Sequence, residues 1–324
     1  MPTETYYPLM GKRVWVAGHR GMVGSALVRR LATEGCEILK TDRGQVDLRR
    51  QDQVDAWMNK ARPDTVFVAA ARVGGISDND TYPVDFLYDN LMIEANIIAA
   101  AHACGVSKLM FLGSSCIYPR LAPQPILEDA LLTGPLEPTN EWYAVAKIAG
   151  IKLAQAYRRQ YGCDFISAMP TNLYGREDNF DLRSSHVLPA LLRKAHEAKL
   201  RGDARMVIWG TGSPRREFLH ADDCADALVF LMKTYSASEH INVGSGEDLT
   251  ILELAQTVAE VVGFSGEIVT DPSMPDGTPR KLMSADRLRA MGWEPRIGLR
   301  EGIAATYRWF LEHEGVSSSP IGAG

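Results

Sequence analysis

The segment from Arg13 to Leu31 constrains the fold more than any other. Arg13-Val14-Trp15-Val16-Ala17 is a short apolar run suited to a buried strand. It leads into Gly18-His19-Arg20-Gly21-Met22-Val23-Gly24 and then the helix-forming Ser25-Ala26-Leu27-Val28-Arg29-Arg30-Leu31. Strand, glycine loop and helix in that order form the context in which a dinucleotide's pyrophosphate meets a helix N-terminus. Gly18 permits the tight turn, Gly21 lets the pyrophosphate approach the backbone, and Gly24 lets the helix pack closely on the strand. A plain turn into a helix does not require three glycines at that spacing.

The chain then alternates in the same manner. Residues 37–40 read as a second strand, 51–61 as a helix, 65–71 as a third strand and 84–104 as a long helix. Residues 108–112 read as a fourth strand and 164–169 as a further one. Such alternation implies right-handed crossovers and an α/β fold, a Rossmann-type doubly wound parallel sheet. Apolar residues wrap much of the circumference of the long helix, which should therefore be buried on more than one side, either by the core or by a second subunit. The absence of a long linker suggests that a smaller substrate-binding lobe is inserted and appended. The nucleotide-binding unit is placed at residues 1–169 plus 217–247 and the substrate lobe at 170–216 plus 248–324. Thr250 is a candidate N-cap with Glu253 at the capping-box position, and the Ser- and Gly-rich tail beyond Gly315 reads as disordered.

Composition excludes several roles. With 324 residues, 46% of them hydrophobic, the chain can bury a sizeable core. A net charge of -5 gives no basic field for nucleic acid or an anionic membrane. No segment approaches the ~20 apolar residues needed to cross a bilayer. The five cysteines form no Cys-x-x-Cys pair, which suits a reducing, cytoplasmic compartment and no structural metal.

Ribose recognition should lie just after the second strand, at Thr41-Asp42-Arg43. Asp42 suits a 2′-hydroxyl, whereas Arg43 with Arg20 suits a 2′-phosphate, and two arginines favour NADP(H). Further on, Glu141 to Gly150 is an uninterrupted helical run that places Tyr143 and Lys147 one turn apart on one face. A lysine cation beside a phenol favours the phenolate, so Tyr143 is expected to titrate below its usual value of about 10. Tyr-x-x-x-Lys alone is common. Its weight comes from the glycine loop and from Gly113-Ser114-Ser115-Cys116 at the end of the fourth strand, where open α/β sheets bind ligands.

Gly18-x-x-Gly21-x-x-Gly24, Ser114 and Tyr143-x-x-x-Lys147 together resemble the extended short-chain dehydrogenase/reductase family, which acts largely on nucleotide-sugars. Gly113 to Pro119, Leu136 to Glu141, Met169 to Gly175 and Arg216 to His220 are most similar to the family's GDP-4-keto-6-deoxy-mannose 3,5-epimerase/4-reductases. The resemblance implies a bifunctional, NADPH-dependent homodimer, paired through the long helix and the Tyr143 helix. It implies cofactor contacts from the whole loop Gly18, His19, Arg20, Gly21, Met22, Val23 and Gly24. Arg43, Leu112, Gly113, Ser114, Ser115, Tyr143, Lys147, Pro170, Thr171, Asn172, Leu173 and His186 complete that set. In this scheme Tyr143 donates a proton, Ser114 binds the carbonyl oxygen and Lys147 holds the ribose. Cys116 and His186 are the acid/base pair for epimerisation. Lys194, Trp209, Arg216 and Asp276 are implied contacts of the GDP-sugar, with Arg193 an alternative to Lys194. A related 4-ketoreductase or simple epimerase on another keto-sugar, and a non-catalytic NADP-binding regulator, are the other readings. The family's dehydratases carry Asp-Glu where this chain has Ser115-Cys116, which disfavours dehydration.

Overall fold

The computed structural model describes residues 7–274 and 276–314, with Ile76 and Ser77 described by backbone alone. The tail expected to be disordered lies outside them. In chain order the first half contains β1 (Arg13–Ala17), α1 (Met22–Leu31), β2 (Glu37–Leu39), α2 (Gln51–Ala61), β3 (Thr65–Val68), α3 (Ile76–Thr81), α4 (Pro83–Ala103) and β4 (Lys108–Leu112). Then follow α5 (Glu141–Tyr161), β5 (Asp164–Pro170), β6 (Asn172–Tyr174), α6 (Val187–Arg201), β7 (Arg205–Trp209), β8 (Arg215–His220), α7 (Ala221–Thr234) and β9 (Ile241–Val243). The last part holds β10 (Asp248–Thr250), α8 (Ile251–Val262), β11 (Glu267–Asp271), β12 (Arg280–Lys281), α9 (Asp286–Ala290) and α10 (Leu299–His313).

Six strands form one parallel sheet in the order β2-β1-β3-β4-β5-β9. Its inner strands are covered on both faces, which is why they read as continuous apolar runs. Val66, Phe67 and Val68 of β3, for example, are completely buried. One face packs under α1 and α7 through Leu27, Leu31, Leu228 and Leu231. The other packs under α2, α4 and α5 through Val54, Ile97, Ile98 and Ile151. A third core, around Leu191, Leu192, Leu254, Val258, Ile303 and Phe310, joins α6, α8 and α10 to β7. This lobe has its own small sheets. β8 pairs with β6, β10 and β12, and β11 runs parallel to β7.

Helix α4 is buried over a wide arc between α2, α5 and the sheet, and its exposed apolar residues lie near its start. Phe86, Asn90, Glu94, Ile97 and Ala101 face inward, while Val84 (72%) and Tyr88 (58%) are exposed, beside Trp142 and Val145 of the neighbouring α5. Thr250 caps α8 with the reciprocal Glu253 contact that its spacing predicts. Among the described residues no helix is long and apolar enough to cross a membrane.

Candidate functional site

The carboxyl ends of β1, β3, β4 and β5 open onto a single cleft, and the glycine loop forms its nucleotide end. The strand order reverses between β1 and β3, the place where such sheets bind ligands. Gly18 has φ +87°, and a Cβ there would lie 2.7 Å from the Ala70 backbone. Gly24 is needed for a closer reason than expected. A Cβ on it would run into Gly18 O and lie 2.8 Å from His19 Cα, so the first turn of α1 packs against the loop itself. Gly21 caps α1 with no side-chain hydrogen bond, and no acidic residue occupies the first turn. The amides at that helix start therefore lack a side-chain acceptor, as a pyrophosphate site requires.

At the end of β2, Asp42 pairs with Arg20 at 2.9 Å and approaches His19 at 3.5 Å, while Arg43 is exposed. Asp42 and Arg20, the two candidates for opposite ribose chemistries, thus hold each other.

Leu112 ends β4 and Gly113 continues it, its amide bonded to Ala168 O. A Cβ on Gly113 would strike Met169 Sδ, so a side chain here would have to displace the methionine. Ser114 then caps a 3-10 turn, Ser115–Ile117, its hydroxyl accepting from the Cys116 amide at 3.5 Å. This turn packs against α5, which carries Tyr143 and Lys147. Lys147 Nζ lies 5.7 Å from the Tyr143 ring centre and 4.8 Å from that of Phe111.

The expected lowering of Tyr143 does not occur. Burial pushes it well above the ordinary tyrosine range, and any charge on Cys116 or Glu94 acts in the same direction. The ammonium of the buried Lys147 is paired at 2.8 Å with the buried carboxyl of Glu94, whose own pKa burial raises against the pull of the lysine.

Cys116 and His186 come from segments far apart in sequence, and Lys281 acts on both. Burial pushes the Cys116 thiol up, against the pull of Lys281, Ser114 and Lys147. His186 precedes α6 as its N-cap residue. Its ring retains solvent contact at the mouth of the cleft, yet enclosing protein lowers its pKa, and the Lys281 charge lowers it further. Lys281 itself lines a small pocket with Cys116, Glu137, Asn140 and Arg280.

Pro170 closes β5, and the backbone at Thr171 continues toward β9 through its amide bond to Val243 O. Asn172 donates to Glu217 O at 2.8 Å, and Leu173 pairs in register with Leu219. On the far wall Lys194 Nζ sits 5.4 Å from the centre of the half-exposed Trp209 ring and donates to Val207 O at 3.3 Å. Arg193 instead binds Glu197 and Phe180 O. Arg216 lies within the fields of Glu137 and Asp276. Asp276 accepts from both the amide and the hydroxyl of Thr211 and fills the space left by Gly210.

Sequence reading missed Lys281 and Glu94. Lys281 follows Thr278-Pro279-Arg280 in a polar stretch that carries no periodic signal. Glu94 did leave a trace, because it falls on the inward stripe Phe86-Asn90-Glu94-Ile97-Ala101, where a carboxylate demands a buried cation.

The fold and the site define a dinucleotide-dependent enzyme of the short-chain dehydrogenase/reductase type. Residues 14–244 match the family model described as NAD dependent epimerase/dehydratase family, and the chain belongs to that family. It is 62% identical over 307 residues to a GDP-L-fucose synthase of Sinorhizobium fredii, covering 95% of this chain and 98% of the relative. It is 54% identical over 313 residues to that of Escherichia coli K12, covering 94% and 98%. Among solved structures, a GDP-L-fucose synthetase from Naegleria fowleri bound to NADP superposes with a TM-score of 0.88 at 29% identity, covering 97% of this chain and 98% of that one. A GDP-6-OMe-4-keto-L-xylo-heptose reductase from C. jejuni gives 0.89 at 35% identity, covering 96% and 100%.

Proposed function

We propose that the chain epimerises GDP-4-keto-6-deoxy-D-mannose at C3 and C5 and reduces it at C4 with NADPH, giving GDP-L-fucose. The observation that carries this reading is the meeting of two proton-handling sets in one cleft. Ser114, Tyr143 and Lys147 form one set, and Cys116 and His186, linked through Lys281, form the other.

When bound, NADPH supplies the hydride for the C4 ketone. The uncapped start of α1 with Gly18, Gly21 and Gly24 would hold its pyrophosphate, Arg43 and Arg20 its 2′-phosphate, and Lys147 its ribose. Residues 112–115 and 170–173 with His186 line the nicotinamide end.

The chain's own groups do the rest. Ser114 and Tyr143 hydrogen-bond the C4 oxygen, which acidifies the neighbouring C3 and C5 protons because the resulting enolate is stabilised there. Burial favours Cys116 as a thiol, while the enclosing protein and the Lys281 charge favour the neutral imidazole at the solvent-exposed His186, one acid and one base, as epimerisation requires. Tyr143, held protonated, then delivers its proton to the C4 oxygen as the ketone is reduced. Lys194 and Trp209 take the guanosine diphosphate end with Arg216 and Asp276, an aromatic plane and two cations suited to a base and a diphosphate.

NMR of the product formed from GDP-4-keto-6-deoxy-mannose and NADPH tests the reading. GDP-L-fucose is expected. A C4-reduced sugar with unchanged C3 and C5 would reduce the assignment to a plain 4-ketoreductase, the activity in the name of the C. jejuni neighbour.

The same reading includes a division into residues 1–169 plus 217–247 and 170–216 plus 248–324, supported by the separate core around α6, α8 and α10. It also includes a homodimer through α4 and α5, supported by the exposed apolar face of Val84, Tyr88, Trp142 and Val145. A cytoplasmic location fits the five free cysteines.

A further inference from the structure

Glu94 is the best-buried carboxylate near the reactive helix, and no step above uses it. It is 1% exposed and projects from α4 into the interface with α5. Its polar contact is Lys147 Nζ at 2.8 Å. The site is built to admit it. Gly150, one turn beyond Lys147, lies in the middle of a 21-residue helix, where glycine weakens the helix relative to alanine. A Cβ there would meet Glu94 Oε2 at 2.7 Å and drive into the Phe111 ring. The helix thus omits a side chain where the carboxylate and the ring beneath it need the space.

We infer that Glu94 is a positioning residue that compensates the Lys147 charge and so keeps Tyr143 protonated, poising the site to donate a proton rather than to accept one. This rests on the proposed ketoreduction. A buried ammonium needs a counter-charge. If the carboxylate did not supply it, the Tyr143 phenolate would be the nearest anion able to, and the phenol would lose its proton at a lower pH. Reduction needs the phenol, because the C4 oxygen takes up that proton as hydride adds to C4. The other charged or titratable groups around the pair are Cys116 from the 3-10 turn, Lys281 of β12 beside it, and His186 ahead of α6. Arg72 lies over the Phe86 ring, whose edge meets Tyr143, and is paired with Asp85 and Asp89. Glu94 is the group among these that contacts the ammonium directly.

The test compares wild type, Glu94→Gln and Glu94→Asp, each with and without Tyr143→Phe. Ultraviolet difference titration against the Tyr143→Phe partner isolates the Tyr143 phenolate without needing a substrate. In Glu94→Gln the phenolate should appear at least about one pH unit lower, a tenfold change in acid dissociation. The alkaline limb of kcat/KM for ketoreduction should move by the same amount. Glu94→Asp keeps the charge and should restore most of the wild-type behaviour, and it serves alone if Glu94→Gln does not fold. There the shorter side chain, set back from Lys147 Nζ, should still lower the Tyr143 titration measurably below wild type, and a titration at or above the wild-type value overturns the inference. Tyr143 titrating in Glu94→Gln as in wild type, or higher, overturns the inference. Failure of wild type to reduce the keto-sugar overturns the functional reading instead, while the spectroscopic titration still decides the role of Glu94.

Discussion

The two walls of the cleft are built differently. The cofactor side is made of short contiguous pieces, the loop Gly18 to Gly24, the β4 exit Leu112 to Ser115 and one turn of α5, each carried on an inner strand or on a helix packed over the large sheet. The substrate side is gathered from remote pieces. Cys116, His186, Lys194, Trp209, Arg216, Asp276 and Lys281 come from several elements; α6 and β7 rest on the third apolar core, and polar links tie other pieces to it and to the large sheet. One such link is the buried set Tyr118, His240, Asn242 and Glu128. Tyr118 donates to Asn242 at 2.5 Å and contacts His240 at 2.9 Å, and the Asn242 amide donates to Glu128 at 3.1 Å. Asn242 also grips Ile126 O, and Ile126 pairs through its backbone with Leu282 and Ser284, next to Lys281. The comparison teaches that the glycine-loop side rests on tight backbone packing, whereas the Lys281 segment is joined to the large sheet through a buried polar set, so the two should fail under different insults.

The largest expected effect separates their chemistries. With NADP⁺ in place of NADPH, reduction is disabled and solvent-deuterium exchange at C3 and C5 reports the substrate wall alone. Cys116→Ser or His186→Asn should lower that exchange by about 10²- to 10⁴-fold, the usual worth of general acid-base catalysis. Tyr143→Phe should block reduction with NADPH by a similar factor while leaving part of the exchange, because Ser114 still holds the C4 oxygen. Wild-type exchange in both Cys116→Ser and His186→Asn would remove the epimerase assignment.

Acid should first loosen the polar link between the β9 edge of the large sheet and the segment before Lys281. Burial lowers His240 from 6.5 to about 4. Its folded pKa lies below its unfolded value, so its contribution to stability is complete above pH 6.5 and disappears as pH falls toward 4. The stake is on the order of 3 kcal/mol. Urea unfolding across that range should show the decline, and His240→Gln should flatten it. Hydrogen exchange should show residues 118–128 and 282–284 opening before the Gly18 to Gly24 loop does.

The cofactor wall should instead be sensitive to volume. Gly24→Ala places a methyl against Gly18 O, and overpacking of that kind costs about 1–3 kcal/mol. Thermal unfolding and NADPH affinity should both worsen, whereas acid sensitivity should not change. The most selective effect belongs to Arg43→Ala. One charge-assisted contact is worth about 1.5–3 kcal/mol, so NADPH should weaken tenfold or more in a binding titration while NADH is nearly unaffected. Equal weakening of both cofactors would transfer the ribose role to Asp42.

Much of the cofactor wall was legible beforehand because its information is local. Three glycines at fixed spacing, a strand that ends in small polar residues and an i, i+4 pair on one helix each state their geometry within about a turn of chain. Parts of the second lobe were legible in the same way, as in the Thr250 and Glu253 capping box. The alternation of buried Met206 and Ile208 with exposed Arg205, Val207 and Trp209 marks β7 just as clearly, although it was not read as a strand.

What only the tertiary structure decided was the company each group keeps. Sequence placed Lys147 beside Tyr143 and implied a lowered phenol. The fold buries that phenol completely and sets Glu94 against Lys147, and burial above all reverses the direction, because a group's pKa depends on its whole surroundings and not only on neighbours on its own helix. Lys281 joins Cys116 to His186, and Lys194 rather than Arg193 meets Trp209, for the same reason. Backbone geometry propagates along the chain and is written in local spacing. Electrostatic environment is set across space, by segments whose sequence separation carries no record of their contact.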